Sequence, residues 1–326
     1  MTSTSTALVL VDSLAAPLRD ADLELVTIAR DLGDVAVVSF DAPSAAVLEQ
    51  LGAHGVARVV ELAVDGEPHL TGVAAHALTR VTEGARVLLA RATFAHKEVL
   101  ARLALLTGAG LIIDAAQVRE GESASIVGAK RVFAGTWDLV CEVRTPLALL
   151  TVRPNAVHPS EAMAATTPSV ERIAVPAEEA SAAAGGVRLV SRTVHEVDAE
   201  AGPALAEAAS VVAGGRGTGG DFGPVRDLAD ALGAAVGSTR DCVDEGWIEH
   251  DTQIGQTGVT ISPRLYVGAG ISGAPHHRGG MQASEVIVAV NSDPECPIFE
   301  ICDFAVVGDL ATVLPQAAAA IRERRG

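Results

Sequence analysis

Short runs of Val, Leu, Ile and Ala recur along this chain at intervals that leave room for a helix between them. In the first half these runs fall at residues 7–11, 35–40, 59–63, 87–90 and 111–113. A strand that is apolar on both faces is typical of a parallel sheet with helices packed on its two sides. The pattern therefore predicts an α/β fold, in which the connections include helices at residues 21–32 and 71–81.

Two later segments interrupt this pattern. The runs at 139–143 and 147–152 lie so close together that we expect an antiparallel hairpin or an edge of the sheet. The proline-containing segment 153–184 predicts an extended excursion, and a short strand is expected after it at 187–190.

The α/β pattern starts again near residue 200, where a helix is expected at 203–209. Further strands are predicted at 210–213, 265–267, 286–290 and 304–307, with helices at 226–232 and 311–325. A chain of 326 residues suits two domains of ordinary size better than one core. We therefore predict an N-terminal α/β, nucleotide-binding-like domain at 1–200 and a doubly wound, mostly parallel-sheet domain at 201–326.

The formal net charge is −17. Binding to nucleic acid requires clustered Lys and Arg, so this charge argues against nucleic acid and against an anionic membrane surface. The charge is explained equally well by solubility or by steering toward a positively charged partner.

Cysteine usage and hydropathy indicate a compartment. The four cysteines form no CxxC pair, so we expect free thiols in a reducing environment. The N-terminal apolar run follows no basic residue, which predicts a strand rather than a signal peptide. No stretch approaches the roughly 20 apolar residues of a membrane span. The sequence thus predicts a cytoplasmic protein without membrane insertion.

The first candidate for chemistry is a strand that runs directly into Gly214-Gly215-Arg216-Gly217. Such a turn lets backbone N–H groups approach an anion, and Arg216 adds a permanent cation. The spacing differs from the G-x-G-x-x-G of nicotinamide-binding folds. A glycine-rich connection that serves only as a turn remains the alternative.

Five further polar or glycine-rich turns come later in the chain. Arg240 comes directly after a strand, and its alternative is a surface ion pair with Asp241 or Asp244. The segments that carry the other candidates are Gly255-Gln256-Thr257-Gly258, Gly270-Ile271-Ser272-Gly273-Ala274-Pro275-His276-His277, Asn291-Ser292-Asp293 and Gly308-Asp309. The adjacent histidines lack a carboxylate or thiol at helical spacing, so no metal site is expected. A histidine whose cationic form faces an electron-rich ring is the favoured interpretation. Turns of this kind after successive strands predict a nucleotide held at one edge of the sheet.

These strings, in this order, resemble the FAD-binding domain of the electron-transfer flavoprotein alpha subunit. The resemblance covers the C-terminal third, where GGRG, a Thr-Arg turn, GQTG, GISGA, NSDPECPIF and a final Asp-Leu pair all occur. Farther toward the N-terminus it extends only to architecture and to fragments such as Gly135-Thr136.

The resemblance implies an electron carrier rather than an enzyme, with one bound FAD and no catalytic or metal-binding residues. It implies a heterodimer with a beta subunit, which the N-terminal domain contacts. Its partners would be acyl-CoA dehydrogenases of fatty acid beta-oxidation, or other dehydrogenases, and a membrane quinone oxidoreductase. Two alternatives stay open: a nicotinamide- or thiamine-dependent enzyme, and a nucleotide-sensing module built on a related domain.

The resemblance also assigns cofactor-binding residues by position. Arg216 would lie near the flavin end or the phosphates, and Arg240 would lie against the isoalloxazine. His277 would face the N1–C2 edge of the ring, while Asn291 and Asp309 would hold the adenosine. The complete implied set is Arg216, Thr239, Arg240, Ile254, Gly255, Gln256, Thr257, Ser272, Gly273, Ala274, Pro275, His276, His277, Asn291, Asp309 and Leu310.

The remaining assignments follow the same matching. Gln256 and Thr257 would contact the ring or the ribityl chain, and Ser272, Gly273 and Ala274 would serve the pyrophosphate.

One turn departs from the family pattern. Pro275-His276 stands where the family has Ile-Gln, and Arg278-Gly279 stands where it has Leu-Ala. The added positive charge predicts a raised flavin potential, because cations near the ring favour its reduced, anionic form.

Overall fold

The computed structural model describes residues 6–133, 136–193 and 202–325. Contacts divide the chain into two units, one formed by Met1–Lys130 and Leu139–Val194, the other by Arg131–Asp138 and His195–Gly326. The predicted boundary near residue 200, and Gly135 of the Gly135-Thr136 fragment, lie outside the described residues. The predicted α/β class is confirmed.

The first part of the chain alternates strands and helices. Its strands are β1 (Thr6–Leu10), β2 (Asp34–Ser39), β3 (Arg58–Val64), β4 (Ala85–Arg91), β5 (Gly110–Ala115), β6 (Gln117–Glu120), β7 (Ile126–Val132), β8 (Trp137–Val143), β9 (Ala148–Val152) and β10 (Ser169–Val175). Its helices are α1 (Asp20–Arg30), α2 (Ala45–Ala53), α3 (Thr71–Thr82), α4 (Phe94–Thr107) and α5 (Ala177–Ala184).

Among the described residues, seven strands form one sheet in the order β10-β3-β2-β1-β4-β9-β5, and the pairings are parallel. Successive residues of β1 enter different buried clusters. Ala7 and Val9 belong to the cluster on one face, whereas Leu8 and Leu10 belong to the cluster on the other. Helices cover both faces, which explains the unbroken apolar runs of the sequence.

Three charged side chains and one histidine contact one another near the carboxyl ends of β1 and β4. Arg91 forms ion pairs with Asp12 and with Asp22, the second at 3.1 Å between Nε and Oδ1. His96 Nε2 lies 2.8 Å from Asp12 Oδ1. Burial alone would raise the pKa of Asp12, but His96 and Arg91 hold it well below its usual range. The arginine and the aspartates at this end of the sheet therefore neutralise one another.

For 139–143 and 147–152 the expected antiparallel hairpin is wrong, and the alternative of a sheet edge holds for β8 alone. β8 lies beside β7 in a three-stranded sheet ordered β6-β7-β8, whereas β9 lies inside the large sheet between β4 and β5. All five residues of β9 are buried, while β8 is largely exposed. An interior position suits β9 because it is apolar on both faces.

Three other predictions fail locally. The segment 153–184 contains β10, which pairs in parallel with β3, and α5. Residues 187–190 form no strand, and Val187 and Val190 are exposed rather than packed within a sheet. Residues 203–209 form turns instead of a helix, although Ala208 N does donate to Ala204 O at 2.9 Å.

The second unit agrees closely with the sequence. Its strands are β11 (Ser210–Gly214), β12 (Ala235–Ser238), β13 (Leu265–Ala269), β14 (Val286–Asn291) and β15 (Phe304–Val307). Its helices are α6 (Gly223–Leu232), α7 (Arg240–Asp244), α8 (Pro275–Met281) and α9 (Leu310–Arg325). The described strands form a five-stranded parallel sheet in the order β12-β11-β13-β14-β15. This is a doubly wound sheet with its change of direction between β11 and β13.

Within residues 6–133, 136–193 and 202–325, no helix is both long and apolar enough to cross a membrane.

A matched pair on α4 tests the core of the first unit. Leu100 is 0% exposed and Leu105 is 87% exposed. We expect Leu100→Ala to lower the free energy of unfolding by about 2–5 kcal/mol, because it leaves a cavity. Leu105→Ala should change it by about 0.5 kcal/mol or less. Chemical denaturation of both variants measures the difference, and equal losses would contradict this placement of α4.

Candidate functional site

The loops that leave the carboxyl ends of β11, β12, β13, β14 and β15 surround two adjacent cavities. The first cavity measures about 280 Å³ and is lined by residues that include Arg216, Ser272, Asn291 and Asp309. The second measures about 200 Å³ and is lined by residues of the loop after β12 and of α8. The two linings share Thr239, Asp241, Ile271 and Ser272. An elongated ligand could therefore extend from one cavity into the other at the point where the sheet changes direction.

Close packing of two loops creates this arrangement. Gly217 N donates to Gly270 O at 3.0 Å, joining the loop after β11 to the loop after β13. A Cβ atom at Gly217 would lie 2.6 Å from Gly270 Cα, and one at Gly215 would lie 2.4 Å from Gly270 O. Glycine is required here because the two backbones touch. The glycine-rich segment is thus a packed turn that also brings Arg216 to the first cavity.

Arg216 is held by a carboxylate of the same site. Its Nε lies 3.2 Å from Asp241 Oδ2, and the two side chains are 72% and 59% exposed. Within the described lining of the first cavity, Arg216 is the one cation, beside Asp241, Asp293 and Asp309.

Arg240 forms the surface ion pair that the sequence left open. Its Nε lies 3.2 Å from Asp244 Oδ2, one turn farther along α7. Arg240 nevertheless lines the second cavity. The ion pair and a place in the site are therefore compatible.

The Gln256 loop is fastened to α8 by two hydrogen bonds. Gln256 N donates to His276 O at 3.0 Å, and His276 Nδ1 donates to Gln256 Oε1 at 3.0 Å. The neighbouring Thr257 accepts a hydrogen bond from Gln253 Nε2 at 3.0 Å. Gln253 is buried and lines the second cavity, a role that the sequence analysis did not assign.

His277 is 6% exposed, and both of its ring nitrogens have partners inside the protein. Its Nδ1 lies 3.1 Å from Ile254 O, and its Nε2 lies 2.7 Å from the Tyr266 hydroxyl. A carbonyl oxygen only accepts, so Nδ1 carries the hydrogen. Burial lowers the pKa of His277 from 6.5 to about 4, although the bond to Ile254 acts in the opposite direction. The ring is therefore neutral at pH 7, and Tyr266 donates to Nε2.

This geometry corrects the expectation of a cationic histidine as far as His277 is concerned. The ring is too deeply buried to carry a charge at neutral pH. Its predicted contact with the flavin edge stays a prediction. His276, in contrast, is exposed at the second cavity.

Asn291 and Asp309 also have partners within the protein. Asn291 Nδ2 donates to Ile271 O at 3.1 Å, which ties the end of β14 to the loop after β13. Asp309 Oδ1 accepts from Ala311 N at 3.0 Å and so caps the start of α9. Both residues line the first cavity, and Asn291 Oδ1 also accepts a hydrogen bond from Asp293 N at 3.1 Å.

Most of the predicted site residues line one of the two cavities. Those at the first are Arg216, Thr239, Ser272, Asn291, Asp309 and Leu310. Those at the second are Thr239, Arg240, Ile254, Gly255, Gln256, Thr257, Ser272, Ala274, His276 and His277. Gly273 and Pro275 line neither cavity: a Cβ at Gly273 would collide with Ile298, and Pro275 begins α8.

Several lining residues were absent from the predicted set. Ile271 and Cys296 are apolar positions within matched strings, and Asp241 had been considered only as an ion-pair partner. Within the described residues, no group of three or more His, Cys, Asp or Glu side chains is placed to hold a metal ion.

Comparisons with known proteins agree with this geometry. The family model described as the electron transfer flavoprotein domain matches residues 7–178, and the model of the electron transfer flavoprotein FAD-binding domain matches residues 204–282. The chain belongs to the electron transfer flavoprotein alpha-subunit family. The match at 7–178 shows that the relationship extends through the first unit, where the sequence analysis found only fragments.

Relatives that match over most of the chain are named electron transfer flavoprotein subunit alpha. The electron transfer flavoprotein subunit alpha of Mycobacterium leprae is 42% identical over 98% of this chain and 99% of its own length. The subunit alpha of Paracoccus denitrificans is 35% identical over 91% of this chain and 94% of its own length. That of Megasphaera elsdenii is 31% identical over 98% and 96%.

The cofactor of an electron transfer flavoprotein is FAD, and the residues present fit it. FAD has an adenosine end and a flavin end joined by a diphosphate, and the site has two cavities that meet at Ser272. The touching backbones of Gly217 and Gly270 leave a side-chain-free wall at the first cavity. Arg216 is a cation of the kind that suits a diphosphate. Three aspartates, Asp241, Asp293 and Asp309, line the same cavity.

The protonation of His277 gives a direct prediction. Nitrogen-15 NMR of the histidine rings should show His277 as the Nδ1–H tautomer with a pKa of about 4. In the unfolded chain the pKa returns to 6.5, so this group's contribution to stability is lost as the pH falls from 6.5 toward 4.

Tyr266→Phe provides the matched change, since it removes only the hydroxyl. We expect an altered Nε2 shift and retention of the Nδ1 hydrogen, because the bond to Ile254 persists. Detection of the Nε2–H tautomer in the unaltered protein would contradict the geometry.

Proposed function

We propose that this chain carries electrons on a bound FAD and works as one subunit of a heterodimer with an electron transfer flavoprotein beta subunit. The observation that supports it most strongly is the pair of adjoining cavities at the change of direction of a doubly wound sheet. The polar and glycine-rich turns of the sequence converge there.

The first cavity is proposed to hold the adenosine and the diphosphate. The Arg216 side chain would face the diphosphate, with Ser272 at the junction of the cavities. The N–H groups of Gly215 and Gly217 already donate to Ala269 O and Gly270 O. Asn291 and Asp309 would accept hydrogen bonds from the adenosine portion. Both are already oriented by hydrogen bonds to Ile271 and Ala311, so little side-chain freedom would be lost on binding.

The second cavity is proposed to hold the flavin end. Arg240, Gln256 and Thr257 line it and would contact the ring or the ribityl chain. His277 would present a neutral ring whose nitrogens are already occupied. FAD supplies one- and two-electron transfer when it is bound, and the protein supplies position and electrostatics.

The proposed work is transport of electrons from dehydrogenases, such as the acyl-CoA dehydrogenases of fatty acid beta-oxidation, to a membrane quinone oxidoreductase. The names of the relatives support electron transfer. A net charge of −17 would speed encounters with partners that carry a positive docking face.

The nucleotide-sensing alternative would place a ligand in the first unit, at the carboxyl ends of β1 and β4. The charges at that position are already paired, through Arg91 with Asp12 and Asp22 and through His96 with Asp12. This pairing favours the second unit as the place of the nucleotide.

Blocking the junction of the cavities tests the site. Ser272→Trp should abolish FAD binding, because the indole occupies the space shared by the two cavities. Ser181→Trp, at an exposed position of α5, is the matched control and should keep one FAD per chain. Absorption spectra followed by acid release and chromatography measure the occupancy. Full occupancy in Ser272→Trp would refute the assignment.

Co-expression tests the heterodimer. We expect the chain to co-purify with its beta subunit and to retain more FAD than the chain expressed alone. Equal retention in both preparations would contradict a cofactor site that depends on the partner.

A further inference from the structure

Asp241 places a negative charge in the site proposed for FAD, whose diphosphate is also negative. It lines both cavities and lies 3.2 Å from Arg216 Nε. We propose that Asp241 is a positioning residue that competes with the FAD diphosphate for Arg216 and thereby weakens FAD binding. The inference rests on the proposed place of FAD in this site.

The described lining of the first cavity has one cation, Arg216, and three aspartates. Asp293 accepts a hydrogen bond from Glu295 N at 3.0 Å, and Asp309 accepts one from Ala311 N at 3.0 Å. These two carboxylates therefore have backbone donors of their own. Asp241 differs from them because its recorded side-chain partner is the guanidinium of Arg216.

The ion pair can exchange partners at low cost. Both side chains are more than half exposed, and ion pairs in such positions are weak. A diphosphate carries more negative charge than a carboxylate and suits the planar fork of arginine. Arg216 is therefore expected to move from Asp241 to the diphosphate when FAD binds.

After this exchange Asp241 no longer pairs with Arg216, and its carboxylate lies near the negatively charged diphosphate of FAD. Loss of the ion pair and repulsion between like charges both reduce the affinity. Part of the effect acts through Arg216, and that part disappears if Arg216 is replaced. This dependence separates the proposal from a general effect of surface charge.

Glu245, the residue that follows α7, provides the charge control. It is exposed and lines neither cavity. Asp244 would not serve, because it pairs with Arg240, which lines the second cavity. Asp241→Asn and Glu245→Gln change net charge equally and differ in their relation to Arg216.

The experiment titrates FAD into the full chain, co-purified with its beta subunit and stripped of flavin, and follows flavin fluorescence. Asp241→Asn should lower the Kd for FAD by about fivefold, whereas Glu245→Gln should change it by about twofold or less. Arg216→Gln should weaken binding, and in that background the gain from Asp241→Asn should shrink to about twofold or less. ADP, used as a competitor, should gain affinity by the same factor as FAD because it carries the diphosphate.

The outcomes are distinct. An unchanged or higher Kd in Asp241→Asn would overturn the proposal, and so would an equal gain in Glu245→Gln or an undiminished gain beside Arg216→Gln. Circular dichroism of each variant without FAD confirms that the comparison is made on folded protein. Failure of the unaltered complex to take up FAD would instead refute the proposed function, whatever Asp241 does.

Discussion

The contact between the backbones of Gly217 and Gly270 is the constraint on which the site depends. It brings the loop after β11 against the loop after β13, where the sheet changes direction. The hydrogen bond of 3.0 Å between them fixes the wall of the first cavity. A side chain at either position would separate the loops, and Arg216 would no longer share a cavity with Ser272. These glycines are therefore required for the shape of the site, whether or not a ligand is bound.

The polar residues around this wall are largely committed to the protein. Asn291 is hydrogen-bonded to the loop after β13, Asp309 caps α9, and Gln256 is hydrogen-bonded to His276. His277 lies between Tyr266 and Ile254, with no nitrogen left for a ligand. Such a site is preorganised, since its side chains need few changes when a cofactor enters. Arg216 is the exception, because its partner is an exposed carboxylate of the same cavity.

Much of this site could be predicted from the sequence, because its residues occur in short contiguous strings. The strings at Arg216 and Ser272 directly follow strands, and the carboxyl ends of parallel strands meet at one edge of the sheet. The string at Gln256 lies farther along the connection from β12 to β13, and its flanking glycines made it a candidate. The pairing of Tyr266 with His277 could not be found, since it joins a strand interior to a helix and leaves no local pattern.

The fold shows the same limits. The sequence predicted the strands of the second unit well, because each is an apolar run bounded by glycine or polar residues. It missed β10, an edge strand whose Glu171 and Arg172 interrupt the apolar pattern. It also joined β8 to β9 because they are close in sequence, although burial on both faces assigns β9 to the interior of the large sheet. Strand order depends on contacts between distant segments, which periodicity does not contain.

The most direct test of this account is a crystal structure of the chain with its beta subunit and FAD. We predict continuous density for one FAD that extends between the two cavities, with adenosine beside Asn291 and Asp309, diphosphate near Arg216, and the flavin ring beside Gln256 and His277. Density with the two ends of FAD reversed, or FAD bound at the carboxyl ends of β1 and β4, would contradict it.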